Sequence, residues 1–113
     1  MANALSTTPR PYDSSSTIRA MEYIGDNMEP TICKRDSIVF EPIEYYVGEG
    51  IYLFEQLGGI SVYRVQSNGR QTLRLMSDNK RYSGRECELS WFNDHCLGRL
   101  IGVYHQIFTP RGC

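Results

Sequence analysis

Apolar and polar residues alternate with a period of two over several short stretches of the chain. Such alternation is typical of β-strands that bury one face. In residues 17–24, for example, Ile18, Ala20 and Ile24 fall on one side of the alternation. Further strands are predicted at residues 36–41, 51–56, 60–66, 71–76 and 97–108. Short strands separated by frequent turns predict a mainly β domain that is coiled or barrel-like.

Two segments between the predicted strands have other patterns. Residues 28–31 favour a short helical turn, with Asp26 or Asn27 as its cap. Residues 77–85 are polar and read as a structured loop. No stretch has the period of an amphipathic helix, so we expect helices to contribute little to the fold.

The first 16 residues are polar, rich in Ser, Thr and Pro, and without apolar period. They are interpreted as a disordered linker or arm. Residues 17–113 then form one domain, since 113 residues suit a single small core. No apolar run approaches the roughly 20 residues that span a bilayer, and no signal peptide opens the sequence. We therefore expect a cytoplasmic protein without membrane contact.

The charge balance argues against a nucleic-acid-binding surface. Twelve basic residues against 13 acidic ones give a formal charge of -1, whereas phosphate binding needs clustered positive charge. Ten of the basic residues are Arg, and the two lysines are Lys34 and Lys80. This shortage of lysine restricts the available chemistry, as shown below.

Cysteine and histidine spacing gives no metal or redox motif. The cysteines lie at positions 33, 87, 96 and 113, with no C-x-x-C pair. Two disulfides are arithmetically allowed, but reduced thiols are expected in a protein without a secretory signal. His95 and His105 have no partners at ligand spacing and are interpreted as surface or core residues. We expect neither a metal ion nor a cofactor.

One motif carries functional information. Residues 25–31 read Gly-Asp-Asn-Met-Glu-Pro-Thr. This segment resembles the nucleophile segment Gly-Asp-Ser-Met-x-Pro-Thr of the LexA and lambda-type phage repressors, which are self-cleaving serine peptidases. The other segments of the family follow in the same order. Residues 35–39 resemble the family's Gly-Asp and hydrophobic strand, and residues 62–65 resemble its Val-Lys-Arg-Leu strand. Residues 75–82 resemble its Leu-x-Ser-x-Asn-x-x-Tyr loop, and residues 97–104 resemble its closing Gly-Arg-Val strand.

This resemblance covers about residues 18–105. It implies a mainly β, LexA/signal-peptidase-like fold of several coiled β-sheets with a small barrel-like core. It also implies a carboxy-terminal domain that cleaves itself and pairs repressor molecules.

Both catalytic positions of the family differ in this chain. Asn27 stands at the position of the nucleophilic serine, and Tyr63 at that of the lysine base. A shift of one residue would place Arg64 there instead. An amide cannot replace an activated hydroxyl, a phenol titrates near ~10, and a guanidinium stays protonated.

Two further observations favour a degenerate peptidase. No lysine occurs between residues 35 and 79, and residues 1–26 contain neither an Ala-Gly nor a Cys-Gly bond of the kind that the family cleaves. Asn27, whether natural or engineered, is then expected to act structurally by capping the following turn. We therefore predict that this chain has no catalytic residues.

If cleavage is lost, the function of the family that remains is the pairing of repressor molecules. We predict the oligomerisation domain of a phage- or prophage-type transcription repressor, which forms a homodimer or a higher oligomer. It would reach DNA only through an amino-terminal helix-turn-helix domain absent from this chain, and an antirepressor protein is a candidate partner. Two alternatives stay open: an atypical self-cleaving serine peptidase of the same fold, and a free-standing regulatory protein that binds another repressor or the RecA filament.

The last predicted strand is the expected pairing surface, because its apolar residues alternate on both sides. Gly98 and Gly102 are expected to mark bulges or bends in it. One side is predicted to carry Leu100, Tyr104 and Phe108, and the other Ile101, Val103 and Ile107. One side packs the core, and the other needs cover. The predicted interface residues are Leu100, Ile101, Tyr104, Ile107 and Phe108.

Overall fold

A computed structural model describes residues 17–105 and residue 113. They contain seven strands and one helix: β1 (Arg19–Glu22), β2 (Ser37–Glu41), β3 (Gly50–Gln56), β4 (Gly59–Ser67), β5 (Thr72–Met76), β6 (Arg85–Glu88), α1 (Leu89–His95) and β7 (Cys96–Tyr104). The strands form one antiparallel sheet in the order β1-β2-β7-β3-β4-β5-β6. The prediction of a mainly β domain is confirmed.

The sheet differs from the expectation of several sheets around a barrel-like core. All seven strands belong to one sheet, and it does not close into a barrel. Its edge strands, β1 and β6, are only four residues long. Within the described part of the chain, each pairs with a single neighbour, which leaves the sheet open.

Most predicted strands are present within one or two residues of their expected bounds. The first is shorter than predicted and comprises only β1. Two elements were missed by the sequence analysis. β6 consists of Arg-Glu-Cys-Glu, in which charged residues hide the alternation. α1 has seven residues, fewer than a helical period needs to become visible.

The sheet separates two apolar clusters because successive side chains of a strand point to opposite faces. In β3, Leu53 joins the first cluster, whereas Tyr52 and Phe54 join the second. The first cluster comprises Tyr23, Met28, Ile32, Ile38, Phe40, Leu53 and Val62. The second comprises Tyr52, Phe54, Val65, Leu73, Leu75, Phe92 and Cys96. Helix α1 covers the second cluster by burying Phe92 completely.

β7 is interrupted at the two positions where glycines predicted bulges. The register with β3 skips Leu97 beside Gly98, and the register with β2 skips Ile101 beside Gly102. A Cβ atom at Gly98 would lie 2.6 Å from the Phe40 ring, so only glycine fits this close approach. The prediction of irregular strand geometry here is confirmed.

The bulge corrects the predicted faces of β7. A skipped residue shifts the alternation by one, so Leu100 and Val103 both pack against the first cluster. Ile101 and Tyr104 are 50% and 65% exposed. The predicted grouping of Leu100 with Tyr104, and of Ile101 with Val103, is therefore wrong. Ile107 and Phe108 lie outside the described residues.

The cysteines also differ from the expectation of four reduced thiols. Cys33 and Cys113 form a disulfide, with Cα atoms 5.2 Å apart. This separation lies within the range that a disulfide requires. Cys87 and Cys96 are free. The pairing was not predictable from spacing, because 80 residues separate the two partners in sequence.

Candidate functional site

The segment that carries the motif, residues 25–33, lies in the connection between β1 and β2 and is called the site loop below. Met28 and Ile32 are fully buried in the first cluster and fix the loop to the sheet. The backbone N–H of Ile32 donates to the carbonyl of Met28 at 3.0 Å. This contact closes a hydrogen-bonded turn that contains a cis peptide bond between Glu29 and Pro30, so the predicted turn is present but is not helical. Asn27 therefore lies just before a turn whose apolar side is anchored in the core.

Asn27 uses its carboxamide to join the site loop to two other parts of the chain. Its Nδ2 donates to the carbonyl oxygen of Val62 in β4 at 2.8 Å and to Oγ of Ser77 at 3.0 Å. Its Oδ1 accepts a hydrogen bond from the hydroxyl of Tyr23 at 2.5 Å. Asn27 was predicted to cap the following turn. Its side chain instead forms hydrogen bonds with residues outside that turn.

Tyr23 holds the other side of Asn27. Its hydroxyl donates to Asn27 and accepts the backbone N–H of Met28 at 3.1 Å. Burial raises the pKa of the Tyr23 phenol to about 12. The phenol is therefore neutral at neutral pH and provides no base next to Asn27.

The polar loop that follows β5 forms hydrogen bonds with the site loop. Asn79 donates its backbone N–H to the carbonyl of Asn27 and its Nδ2 to the carbonyl of Asp26, both at 2.9 Å. Tyr82 donates its hydroxyl to the Asp26 carboxylate. These residues belong to the segment that resembles the Leu-x-Ser-x-Asn-x-x-Tyr loop, and their hydrogen bonds hold the site loop in place. The prediction of a structured polar loop is confirmed.

Arg64, the second candidate for the base position, is engaged in an ion pair. Its Nε and Nη2 atoms lie 2.8 and 2.7 Å from the two carboxylate oxygens of Asp78. Thr31 of the site loop donates to the same carboxylate at 2.5 Å. The hydrogen bond from Arg64 lowers the pKa of Asp78, and the same bond raises the pKa of Arg64. A guanidinium held in this way cannot serve as a neutral base.

Tyr63, the first candidate for the base position, belongs to the other face of the sheet. Its ring packs against Phe54, with ring centroids 5.9 Å apart, and lies 5.9 Å from the guanidinium carbon of Arg85. Both Phe54 and Tyr63 are part of the second cluster or packed against it. Asn27 and Tyr63 therefore have different chemical environments: Asn27 belongs to a polar network, and Tyr63 packs against an aromatic cluster.

A cleft runs along the first half of β4, where that strand has an open edge. Within the described residues, positions 59–63 of β4 pair with β3, and pairing with β5 begins at Arg64. A cavity of about 290 Å³ lies here, lined by residues 23, 25–27, 60–63, 77, 82 and 83. A mostly apolar cavity of about 240 Å³ adjoins it, lined by residues 21–25, 38, 59, 60 and 62. Asn27 and Tyr63 both contribute to the first cavity.

The histidines do not assemble a metal site. His95 stacks on Trp91 and contacts its carbonyl, and His105 pairs with Asp36. In residues 17–105 and 113, no three metal-binding side chains come together. The same residues contain no helix that is long and apolar enough to cross a membrane.

Tyr23 and Ser77 are the site residues that sequence reasoning passed over. Both flank or belong to motif segments, but neither was assigned a contact with Asn27. Ser77 matches the serine of the Leu-x-Ser-x-Asn-x-x-Tyr motif, and this match was the feature of the sequence that could have pointed to it. The Val62 contact has no such signal, because a backbone carbonyl leaves no trace in a side-chain pattern.

Comparison with known proteins supports the motif reading. A family model described as Peptidase S24-like matches residues 5–101. The match spans the site loop, the cleft strand β4 and the polar loop. A search of curated proteins found no match.

Proposed function

The chain belongs to the Peptidase S24-like family, which includes the LexA and phage repressor carboxy-terminal domains, and we propose that it is a non-cleaving member that pairs repressor molecules. DNA would be bound by a separate helix-turn-helix domain. Pairing raises the local concentration of the second DNA-binding module and so strengthens operator binding without a contact of its own.

The arrangement of Asn27 carries the proposal that cleavage is lost. Both N–H donors and the oxygen of its carboxamide are engaged with Val62, Ser77 and Tyr23. The family's mechanism needs a serine hydroxyl beside a base that takes its proton. The phenol of Tyr23 is neutral, and the guanidinium of Arg64 is paired with Asp78. Neither group activates a nucleophile at neutral pH.

The exposed apolar side chains of β7 support the proposal that the chain pairs with itself. Tyr104 lies opposite Ser37 in the register of β2, on the face away from the first cluster. Among the strands, helix α1 makes its main contacts with β3 and β6. The face next to Ile101 and Tyr104 therefore carries apolar surface that a second copy would cover.

Prolonged incubation of the chain at alkaline pH tests the loss of cleavage. The family's lysine base would be neutral there, so an active member would yield specific fragments. We expect the wild-type chain to stay intact by mass spectrometry. Defined fragments from the wild type, absent when Asn27 is replaced by Ala, would instead support an atypical peptidase.

Analytical ultracentrifugation tests the pairing. We expect the wild type to sediment as a dimer or larger species and Tyr104→Arg to shift it towards monomer. Tyr45→Arg is the matched control, because Tyr45 is similarly exposed, at 60% against 65%, but precedes β3. A folded Tyr104→Arg variant that sediments like the wild type would exclude this surface.

A further inference from the structure

The accessible end of the Cys33–Cys113 disulfide lies in a cavity between the site loop and the polar loop that follows β5. The cavity has a volume of about 430 Å³ and is lined by residues 29, 30, 78–81 and 113. Cys33 is 1% exposed, whereas Cys113 is exposed. A small thiol can therefore reach the disulfide through this cavity, from the side of Cys113.

The charges of this cavity favour an anionic ligand. Lys80 and Arg81 are exposed cations in its lining, and within the part of the chain that the structure describes neither forms a salt bridge. The negative charge of Asp78 is balanced by Arg64, whose Nε and Nη2 atoms lie 2.8 and 2.7 Å from its oxygens. In this lining Glu29 then opposes two cations. Cations near a disulfide attract an attacking thiolate and stabilise a departing one.

The two free cysteines of the chain compete weakly for exchange with this disulfide. Burial raises the pKa of the Cys87 thiol, and it raises the pKa of the Cys96 thiol to about 11. Few thiolates therefore form at these two positions near neutral pH, and the thiolate is the attacking species. An external thiol is the favoured partner of the Cys33–Cys113 bond.

We propose that Cys113 is a modification site at which a small anionic thiol of the glutathione class forms a mixed disulfide. The thiolate attacks Sγ of Cys113, the bond between Cys113 and Cys33 breaks, and Sγ of Cys33 leaves and takes a proton from water. Lys80 and Arg81 attract the anionic groups of the thiol. The site is independent of the proposed pairing, because it needs neither the exposed side chains of β7 nor a second copy.

A second molecule of the thiol completes the exchange. It attacks the sulfur of the first, displaces the thiolate of Cys113, which takes a proton from water, and forms the oxidised small disulfide. One protein disulfide and two small thiols thus give two protein thiols and one small disulfide. The reverse reaction, with the small disulfide as the oxidant, restores the protein disulfide.

The test compares how fast three thiols of similar size and different charge reduce the disulfide of the full chain. The probes are mercaptoethanesulfonate, which is anionic, mercaptoethanol, which is neutral, and cysteamine, which is cationic. Released protein thiols are counted by alkylation and mass spectrometry, and each rate is corrected for the pKa of the probe. We expect the anionic probe to react about threefold faster than the neutral one, and the cationic probe to be slowest. Added salt should reduce these differences by screening the exposed charges.

Charge-removing variants test whether the preference comes from the cavity. Lys80→Gln and Arg81→Gln should each lower the advantage of the anionic probe over the neutral one. Arg70→Gln is the matched control, because it removes the same charge from an exposed arginine outside the cavity, and it should keep the full advantage. An equal loss in Arg70→Gln would overturn the inference, since the preference would then reflect only the net charge of the chain.

Peptide mapping of the wild type after an acid quench identifies the sulfur that is attacked, and it needs no variant that could fail to fold. We expect the anionic probe to be found on Cys113. A mixed disulfide on Cys33 would contradict the proposed direction of attack, because Cys33 is the buried partner.

Thiol counting before any reductant is added tests the premise. We expect two alkylated thiols in the denatured protein and four after reduction, because Cys87 and Cys96 are free among four cysteines. Four alkylated thiols at the start, or three equal corrected rates, would overturn the inference. Either result would leave the proposed pairing standing, since that proposal rests on the exposed side chains of β7.

Discussion

Asn27 and Tyr63, the residues that the sequence resemblance aligns with the two catalytic positions of the family, are held in this chain by opposite means. Asn27 is held by hydrogen bonds to Tyr23, Val62 and Ser77. Tyr63 is held by packing against Phe54 and by the cation–π contact with Arg85. One replacement has become part of a polar network, and the other part of an aromatic cluster.

This difference predicts how each of the two positions responds to substitution. A hydrogen-bonded amide is specific, because each partner is left unsatisfied when it is removed. An aromatic ring in a cluster tolerates exchange for another ring of similar volume. We therefore expect the Asn27 position to be sensitive to small chemical changes, and the Tyr63 position to be sensitive only to loss of volume.

The largest effect is expected where the aromatic cluster loses volume. Phe54 contacts the rings of Tyr63, Trp91 and Phe92. Phe54→Ala should lower the free energy of unfolding by about 4 kcal/mol, since a fully buried phenylalanine leaves a cavity. Urea denaturation, followed by the fluorescence of the single tryptophan, measures it. Leu57→Ala is the control, because Leu57 is fully exposed and should give no change.

A smaller effect is expected at Asn27. Asn27→Ala removes three hydrogen bonds and leaves the hydroxyls of Tyr23 and Ser77 without this partner. We expect a loss of about 2 kcal/mol in urea denaturation. Asn68→Ala, which removes an exposed contact with Glu86, should cost less than about 0.5 kcal/mol. An Asn27→Ala variant as stable as the wild type would mean that the polar network contributes nothing.

The ion pair beside Asn27 should give the site a dependence on acid. Hydrogen bonding by Arg64 lowers the pKa of Asp78 below that of the unfolded chain. The stabilisation is therefore complete above the unfolded pKa near ~4 and is lost as the pH falls through the folded pKa. Asp78→Asn should cost about 1 kcal/mol at pH 7, a value reduced because Arg64 is 43% exposed.

The acid dependence is measured by urea denaturation between pH 7 and pH 2. The difference between wild type and Asp78→Asn should shrink below about pH 4. Asp94→Asn, at an exposed position on α1, should show no such convergence. A difference that stays constant with pH would show that Asp78 contributes through its shape and not through its charge.

Sequence patterns located the fold because the central strands are long enough to show their alternation. β3 and β4 have seven and nine residues and were predicted closely. β6 was hidden by its charged residues, and α1 was too short to show a period. The bulge at Ile101 shifted the faces of β7, and a register shift has no signature in a simple alternation.

The candidate site was predictable in location but not in its contacts. The motif around Asn27 and the polar loop around Asn79 identified the two segments that meet. One partner of the Asn27 amide is the backbone carbonyl of Val62, which lies 35 residues away in sequence. A backbone contact of this kind leaves no pattern of side chains from which it could be predicted. The Cys33–Cys113 bond has the same character, since only the folded chain brings the two cysteines together.

The smallest effect is expected at Tyr63 itself, and this variant tests the comparison most directly. In the described part of the chain its hydroxyl has no hydrogen-bond partner, whereas its ring packs against Phe54. Tyr63→Phe should therefore change the free energy of unfolding by less than about 0.5 kcal/mol, well below Asn27→Ala. A loss as large as that of Asn27→Ala in the same urea titration would show that the hydroxyl takes part in a polar network. The two catalytic positions would then have been accommodated in the same way.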